Sequence, residues 1–109
     1  MTYAHIIVGR DGPIATITLN RADAMNALTP EMLGEVDAAL SDIAADPNIN
    51  VLIMTGAGRA FCAGVDLKAL QARGVDLSQG NVGDELNNAA RGVIEKIESM
   101  PQATIAKVN

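Results

Sequence analysis

Val51-Leu52-Ile53-Met54 is a run of four apolar residues that empties into a glycine-bearing loop, Gly56-Ala57-Gly58-Arg59-Ala60-Phe61-Cys62-Ala63-Gly64-Val65-Asp66-Leu67. A strand whose neighbours are apolar on both faces belongs inside a sheet, paired in parallel with helices laid against it. The loop then runs into a helix-like segment, Leu67 to Arg73. A strand, a glycine loop and a helix start in this order leave several backbone N–H groups unpaired and pointing one way. Such groups can hold an anion or a developing oxyanion.

The flanking segments fit that core strand. Tyr3 to Gly9 is rich in Ile and Val and meets the turn cluster Arg10-Asp11-Gly12-Pro13. Pro13 to Leu19 alternates, with Ala15, Ile17 and Leu19 on one face and Ile14, Thr16 and Thr18 on the other, so the two segments predict a β-hairpin. Asn20 to Leu28 is polar and irregular at first. Thr29 as N-cap, Pro30 at the first helical position and Glu31 beside the helix dipole then open a helix over Pro30 to Ala45. Met32 or Leu33, Val36, Leu40 and Ile43 form its buried stripe, and Asp46-Pro47-Asn48 stops it.

Beyond the loop, Asp66 can cap a short helix to about Arg73, and Gly74 to Gly83 reads as a mobile loop. Leu86, Ala90, Val93, Ile97 and Met100 step by four, three, four and three, which predicts a helix over Asp84 to Ser99 ended by Pro101. Thr104 to Val108 is the start of another buried strand. The order β, β, α, β, short α, α, β contains a strand–helix–strand crossover, hence an α/β fold with a mixed sheet and packed helices.

Composition narrows what such a fold can do. The 109 residues have room for one domain, spanning 1–109, and a chain of this size buries roughly two thirds of its unfolded surface. Eight basic against thirteen acidic residues leave a net charge of −5, which argues against nucleic acid as a partner. Any phosphate contact must be local, from Arg21, Arg59 or Lys68. The single cysteine, Cys62, precludes an internal disulfide and suits a reducing compartment. The N-terminus lacks the pattern of a secretory signal, and no apolar run is long enough to span a bilayer. A cytoplasmic protein without a membrane partner is the expectation.

Two segments resemble the crotonase family, also called the enoyl-CoA hydratase/isomerase family. Asn20-Arg21-Ala22-Asp23-Ala24-Met25-Asn26-Ala27-Leu28 is similar to its Asn-Arg-Pro…Asn-Ala-Leu segment, with Ala22 where proline is usual. The Gly56 to Leu67 loop is the second signature, and Thr104-Ile105-Ala106-Lys107-Val108-Asn109 resembles the strand leading to a further glycine-rich element. The resemblance runs over essentially the whole chain. It implies the N-terminal part of a crotonase-like ββα spiral core.

The chemistry that the resemblance implies is enolate stabilisation on an acyl-CoA thioester, as in hydration or isomerisation of an enoyl-CoA in fatty acid metabolism. Its one catalytic group in this chain is the backbone N–H of Val65, an oxyanion donor that stabilises the enolate more than the ground-state carbonyl. Gly64 lets the chain turn there and approach the ligand. Backbone groups near Ala63 would read the adenine, and Met25, Ala27 and Leu67 would line the pantetheine or acyl path, with Asp66 completing the substrate segment. No metal and no separate cofactor is implied, since coenzyme A is part of the substrate, and a homo-oligomer is expected. The second oxyanion donor and the acid/base residues are expected beyond Asn109. The parent protein is therefore expected to be an enzyme and this chain, truncated before those groups, inactive alone; the alternative is a non-catalytic fragment that binds acyl-CoA weakly or acts only by assembling with a partner.

Plainer readings stand beside these. The loop has neither the Gly-Lys-Ser/Thr of a P-loop nor the dinucleotide fingerprint. Asp66 reads as a helix cap before it reads as a catalytic acid. Cys62, with His5 its only possible partner, reads as a small buried filler. His5 reads as an edge or surface residue of the first strand. Glu85, Glu95 and Glu98 lie on the water-facing side of their helix, Glu85 being the least implausible acid. Arg59 is equally a loop residue or a phosphate contact.

Overall fold

The computed structural model describes residues 3–66, 68 and 84–109. Apart from residue 68, the helix expected over 67–73 and the loop after it lie outside the described residues. Strands β1 (Ile6–Asp11), β2 (Ile14–Leu19), β3 (Val51–Gly56) and β4 (Ala103–Lys107) form one sheet in the order β1-β2-β3-β4. The first pair is antiparallel, whereas β2–β3 and β3–β4 are parallel, so the sheet is mixed and β3 is interior, as its sequence predicted. Helix α1 (Pro30–Ala44) supplies the crossover from β2 to β3, and α2 (Asp84–Ser99) connects to β4.

The hairpin is tighter than the turn cluster suggested. Asp11 pairs with Ile14, leaving Gly12-Pro13 as a two-residue turn in which Gly12 takes φ +58°. The strand also begins later than Tyr3. The N–H groups of Ala4 and His5 donate to the Glu35 carboxylate on α1, at 3.2 and 2.8 Å, and so leave the ladder. His5 consequently sits half-buried before the strand rather than within it.

Helix α1 starts as its cap predicted: the Thr29 hydroxyl accepts from the Met32 N–H at 3.1 Å, with Pro30 next in line. At its far end the Gln102 carboxamide, just before β4, donates to the Ile43 carbonyl at 2.8 Å and closes a last-turn acceptor. Met32, Leu33, Val36, Ala39, Leu40 and Ile43 form the stripe that packs with Ile6, Ala15, Ile17, Leu19 and Leu52. Ile17, Met32, Leu40 and Leu52 have no exposed surface, and each contributes about 1.5–3 kcal/mol of burial. From α2, Val93 joins this core and Ala90 and Ile97 pack against it, as does Met100 just after the helix.

The opposite face of the sheet is less covered than the apolar run implied. Ile14, Thr16, Val51 and Ile53 are only half-buried there, and β4, expected to be a buried strand, is exposed at every residue on both faces, Ile105 by 52%, because it has a strand neighbour on one side only among the described residues. Among the described residues no helix is long and apolar enough to cross a membrane.

Candidate functional site

The two segments singled out in the sequence meet at the end of β2 and β3. After β2 a single 3-10 turn, Ala22–Ala24, is followed by two left-handed residues, Met25 at φ +53° and Asn26 at φ +58°. A pair of adjacent non-glycine residues with positive φ is costly backbone, sustained only by surrounding contacts. Here the contacts come from Asn26, which is fully buried. Its Oδ1 accepts from the Arg21 N–H at 2.7 Å, and its Nδ2 donates to the carbonyls of Ala57 and Ala60 at 3.0 and 2.8 Å. The first segment thereby pins the glycine loop. Gly56 is required at this junction because a Cβ there would collide with the Ala60 and Phe61 carbonyls and with the Asn26 amide.

The loop is held from a second side by Asn109. Its Nδ2 donates to the carbonyls of Gly56 and Gly58 at 2.6 and 2.8 Å, and its Oδ1 accepts from the Thr55 hydroxyl at 3.2 Å. Two carboxamides thus donate to the carbonyls of residues 56, 57, 58 and 60.

Past the loop the chain runs alongside residues 25–28. The Ala63 N–H donates to Met25 O at 3.0 Å, the Leu28 N–H to Gly64 O at 2.6 Å, and the Asp66 N–H to Leu28 O at 2.9 Å. This is a parallel bridge between Leu28 and Val65. In such a bridge the bonds are made by the groups flanking Val65, and its own N–H faces the other way. Among the described residues the Val65 N–H donates to no acceptor. Gly64 makes the geometry possible with φ +105°; a Cβ there would meet open space, so the demand is conformational and not steric.

Arg21 fastens both sides of the bridge. Its Nη2 donates to Asp66 Oδ2 at 2.9 Å, and its Nη1 makes a short hydrogen bond to Ala27 O. With 20% and 15% of the two side chains exposed, the Arg21–Asp66 pair is shielded beyond the surface pairs worth at most about 1 kcal/mol. Asp66 is therefore an ion-pair partner, and the helix it was expected to cap lies outside the described residues. Arg21 is engaged inside the protein instead of offered to phosphate.

Of the residues expected in the site, Met25, Ala27, Ala63, Gly64, Val65 and Asp66 are brought together, and Leu67 lies outside the described residues. Met25 and Val65 are each 41% exposed, and the guanidinium of exposed Arg59 lies 3.9 Å from the Met25 sulfur. Cys62, read as a small buried filler, is half-buried and packs against the core. It lines an apolar cavity of about 370 Å³ with Leu28, Phe61, Met54, Val93 and Ile105; Val65 is not part of that wall. Glu95 and Glu98 are exposed on α2, as expected of a water-facing side. Among the described residues no group of three His, Cys, Asp or Glu side chains could hold a metal ion. The roles of Asn26 and Asn109 were not read from the sequence. The available signal was an asparagine beside apolar residues in each segment.

Residues 9–109 match the family model described as enoyl-CoA hydratase/isomerase. A probable enoyl-CoA hydratase, echA8, of Mycobacterium bovis is 44% identical over 70 residues, covering 64% of this chain and 27% of that protein. The crotonyl-CoA hydratase of Syntrophomonas wolfei is 34% identical over all of this chain and 40% of its own length. The crystal structure of an enoyl-CoA hydratase/isomerase from Xanthobacter autotrophicus Py2 superposes with a TM-score of 0.86 at 37% identity, over 99% of this chain and 39% of that one. The chain thus spans 27% to 40% of the length of these relatives.

Proposed function

Because the chain belongs to the enoyl-CoA hydratase/isomerase family, and carries the N-terminal portion of the crotonase fold, we propose that it supplies one wall of an acyl-CoA site in which the Val65 N–H stabilises a thioester enolate. The observation that carries this reading is the Gly64–Val65 peptide. Its carbonyl is taken by Leu28 and its N–H is left without an acceptor among the described residues, beside an exposed surface. A donor fixed before the reaction costs no reorganisation as charge develops on the thioester oxygen, and losing one such donor costs about 2.7–4 kcal/mol. In this site Met25 and Ala27 border the acyl or pantetheine path with Leu67, and backbone groups near Ala63 meet the adenine. The activity proposed is hydration or isomerisation of an enoyl-CoA, which also requires a second oxyanion donor and acid/base residues.

A second reading is a chain that binds the thioester without turning it over. It is supported by Asp66, the carboxylate next to the proposed donor, whose Oδ2 is held by the Arg21 guanidinium. Loss of enoyl absorbance with crotonyl-CoA separates the two: hydration well above the uncatalysed rate supports the enzyme, and binding without hydration supports the second reading. A cytoplasmic homo-oligomer remains our proposal for the setting. It is supported by the lone, unpaired Cys62 and by the apolar exposure of Ile94 and Ile105.

A further inference from the structure

We propose that Arg21 is a positioning residue that polarises the Val65 N–H through two intervening peptide groups, a proposal that rests on the oxyanion reading above. The groups form an unbroken relay. The Arg21 guanidinium donates to the carbonyl of the Ala27–Leu28 peptide; the N–H of that same peptide donates to the carbonyl of the Gly64–Val65 peptide at 2.6 Å; the N–H of this second peptide is the proposed donor to substrate. A trans peptide sets its carbonyl and N–H on opposite sides, so the bonds point one way from guanidinium to donor. A cation at the head of such a chain draws electron density from each amide in turn. That makes the final N–H a stronger donor than an isolated peptide.

Asp66 is the other half of the device. Its carboxylate takes the second arm of the guanidinium at 2.9 Å, so the fork is fixed against both residue 27 and the residue immediately after Val65. Arg21 itself is anchored at its backbone, where its N–H donates to buried Asn26 and its carbonyl accepts from Ala24 and Asn26. The planar guanidinium suits this two-acceptor task, whereas an ammonium could keep the charge and the Ala27 contact but not the fork. Arg21 touches no substrate in this scheme. It acts on the reaction through Val65 alone.

The test uses the full chain with crotonyl-CoA carrying 13C at the thioester carbonyl, read by its resonance when bound. Wild type shifts that carbon downfield. Arg21→Met loses about a quarter or more of the shift, while its dissociation constant changes by less than about threefold, and Arg21→Lys recovers most of it. The Val65 amide proton of the unliganded Arg21→Met chain moves upfield in parallel. If Arg21→Met is recovered unfolded, the double variant Arg21→Met/Asp66→Asn, which removes both charges of the pair, carries the test with the same expectations. A wild-type shift retained in the variant overturns the proposal. So does an affinity loss of tenfold or more with the shift intact, which marks Arg21 as a contact for the phosphates of coenzyme A. Absence of any shift in wild type removes the oxyanion reading itself, and the proposal with it.

Discussion

Leu28 and Gly64 are joined amide to carbonyl at 2.6 Å, and this one bond decides where the N–H of the following residue points. The peptide plane cannot turn without breaking it, so the orientation of the Val65 donor is a property of residues 25–28 as much as of the loop that carries it.

Gly64→Pro removes the φ of +105° that this arrangement needs, because proline is confined near −65°. We expect acyl-CoA affinity to fall by more than about tenfold by titration calorimetry, with Cys62→Ala within about twofold of wild type. Equal losses in the two variants would count against the oxyanion assignment.

Asn26→Ala leaves the carbonyls of Ala57 and Ala60 and the N–H of Arg21 without the partner that the fully buried Asn26 supplies. A loss of about 3 kcal/mol in urea unfolding is expected. Asn26→Asp adds a sign. A carboxylate facing two carbonyl oxygens holds its proton more tightly in the folded chain than in the unfolded one, where the pKa is about 3.9. Its stability should be greatest below that pH and decline as pH rises through it toward the raised folded value. An Asp variant equally stable at low and neutral pH would contradict the geometry.

Thr29→Ala deletes the acceptor for the Met32 N–H at the start of α1. Unfolding free energy should drop by about 1 kcal/mol, with Thr29→Ser close to wild type in the same thermal melts.

Ile94 and Ile105 are 55% and 52% exposed and both line the apolar cavity between α2 and β4. Replacing both by lysine should reduce concentration-dependent self-association in sedimentation velocity. An unchanged distribution would show that this face does not drive assembly.

Much of the fold could be read from local pattern. The alternation of Ala15, Ile17 and Leu19, the Thr29-Pro30-Glu31 start and the stepping of Val93 and Ile97 each report a periodicity enforced by burial, and those elements lie where the pattern put them. Boundaries failed where a side chain from elsewhere intervened. β1 begins at Ile6 because Glu35, about thirty residues away, claims the amides of Ala4 and His5. The same holds for the site. The backbone bridge of Leu28 to Val65 follows from two segments recognised separately, but the Arg21–Asp66 pair joins residues 45 apart. Viewed locally, Asp66 looks like a cap and Arg21 like a free cation. Only the folded chain reveals that each answers the other.

The bridge also writes a signature into solvent isotope exchange. Leu28 and Asp66 have their amides locked into it, while the amide of Val65, between the bonded positions 64 and 66, is left open. Deuterium should enter at residue 65 long before it enters at 28 or 66, a fast site bracketed by slow ones. Occupancy by a thioester would then be visible as the slowing of that single position, with no label on the ligand.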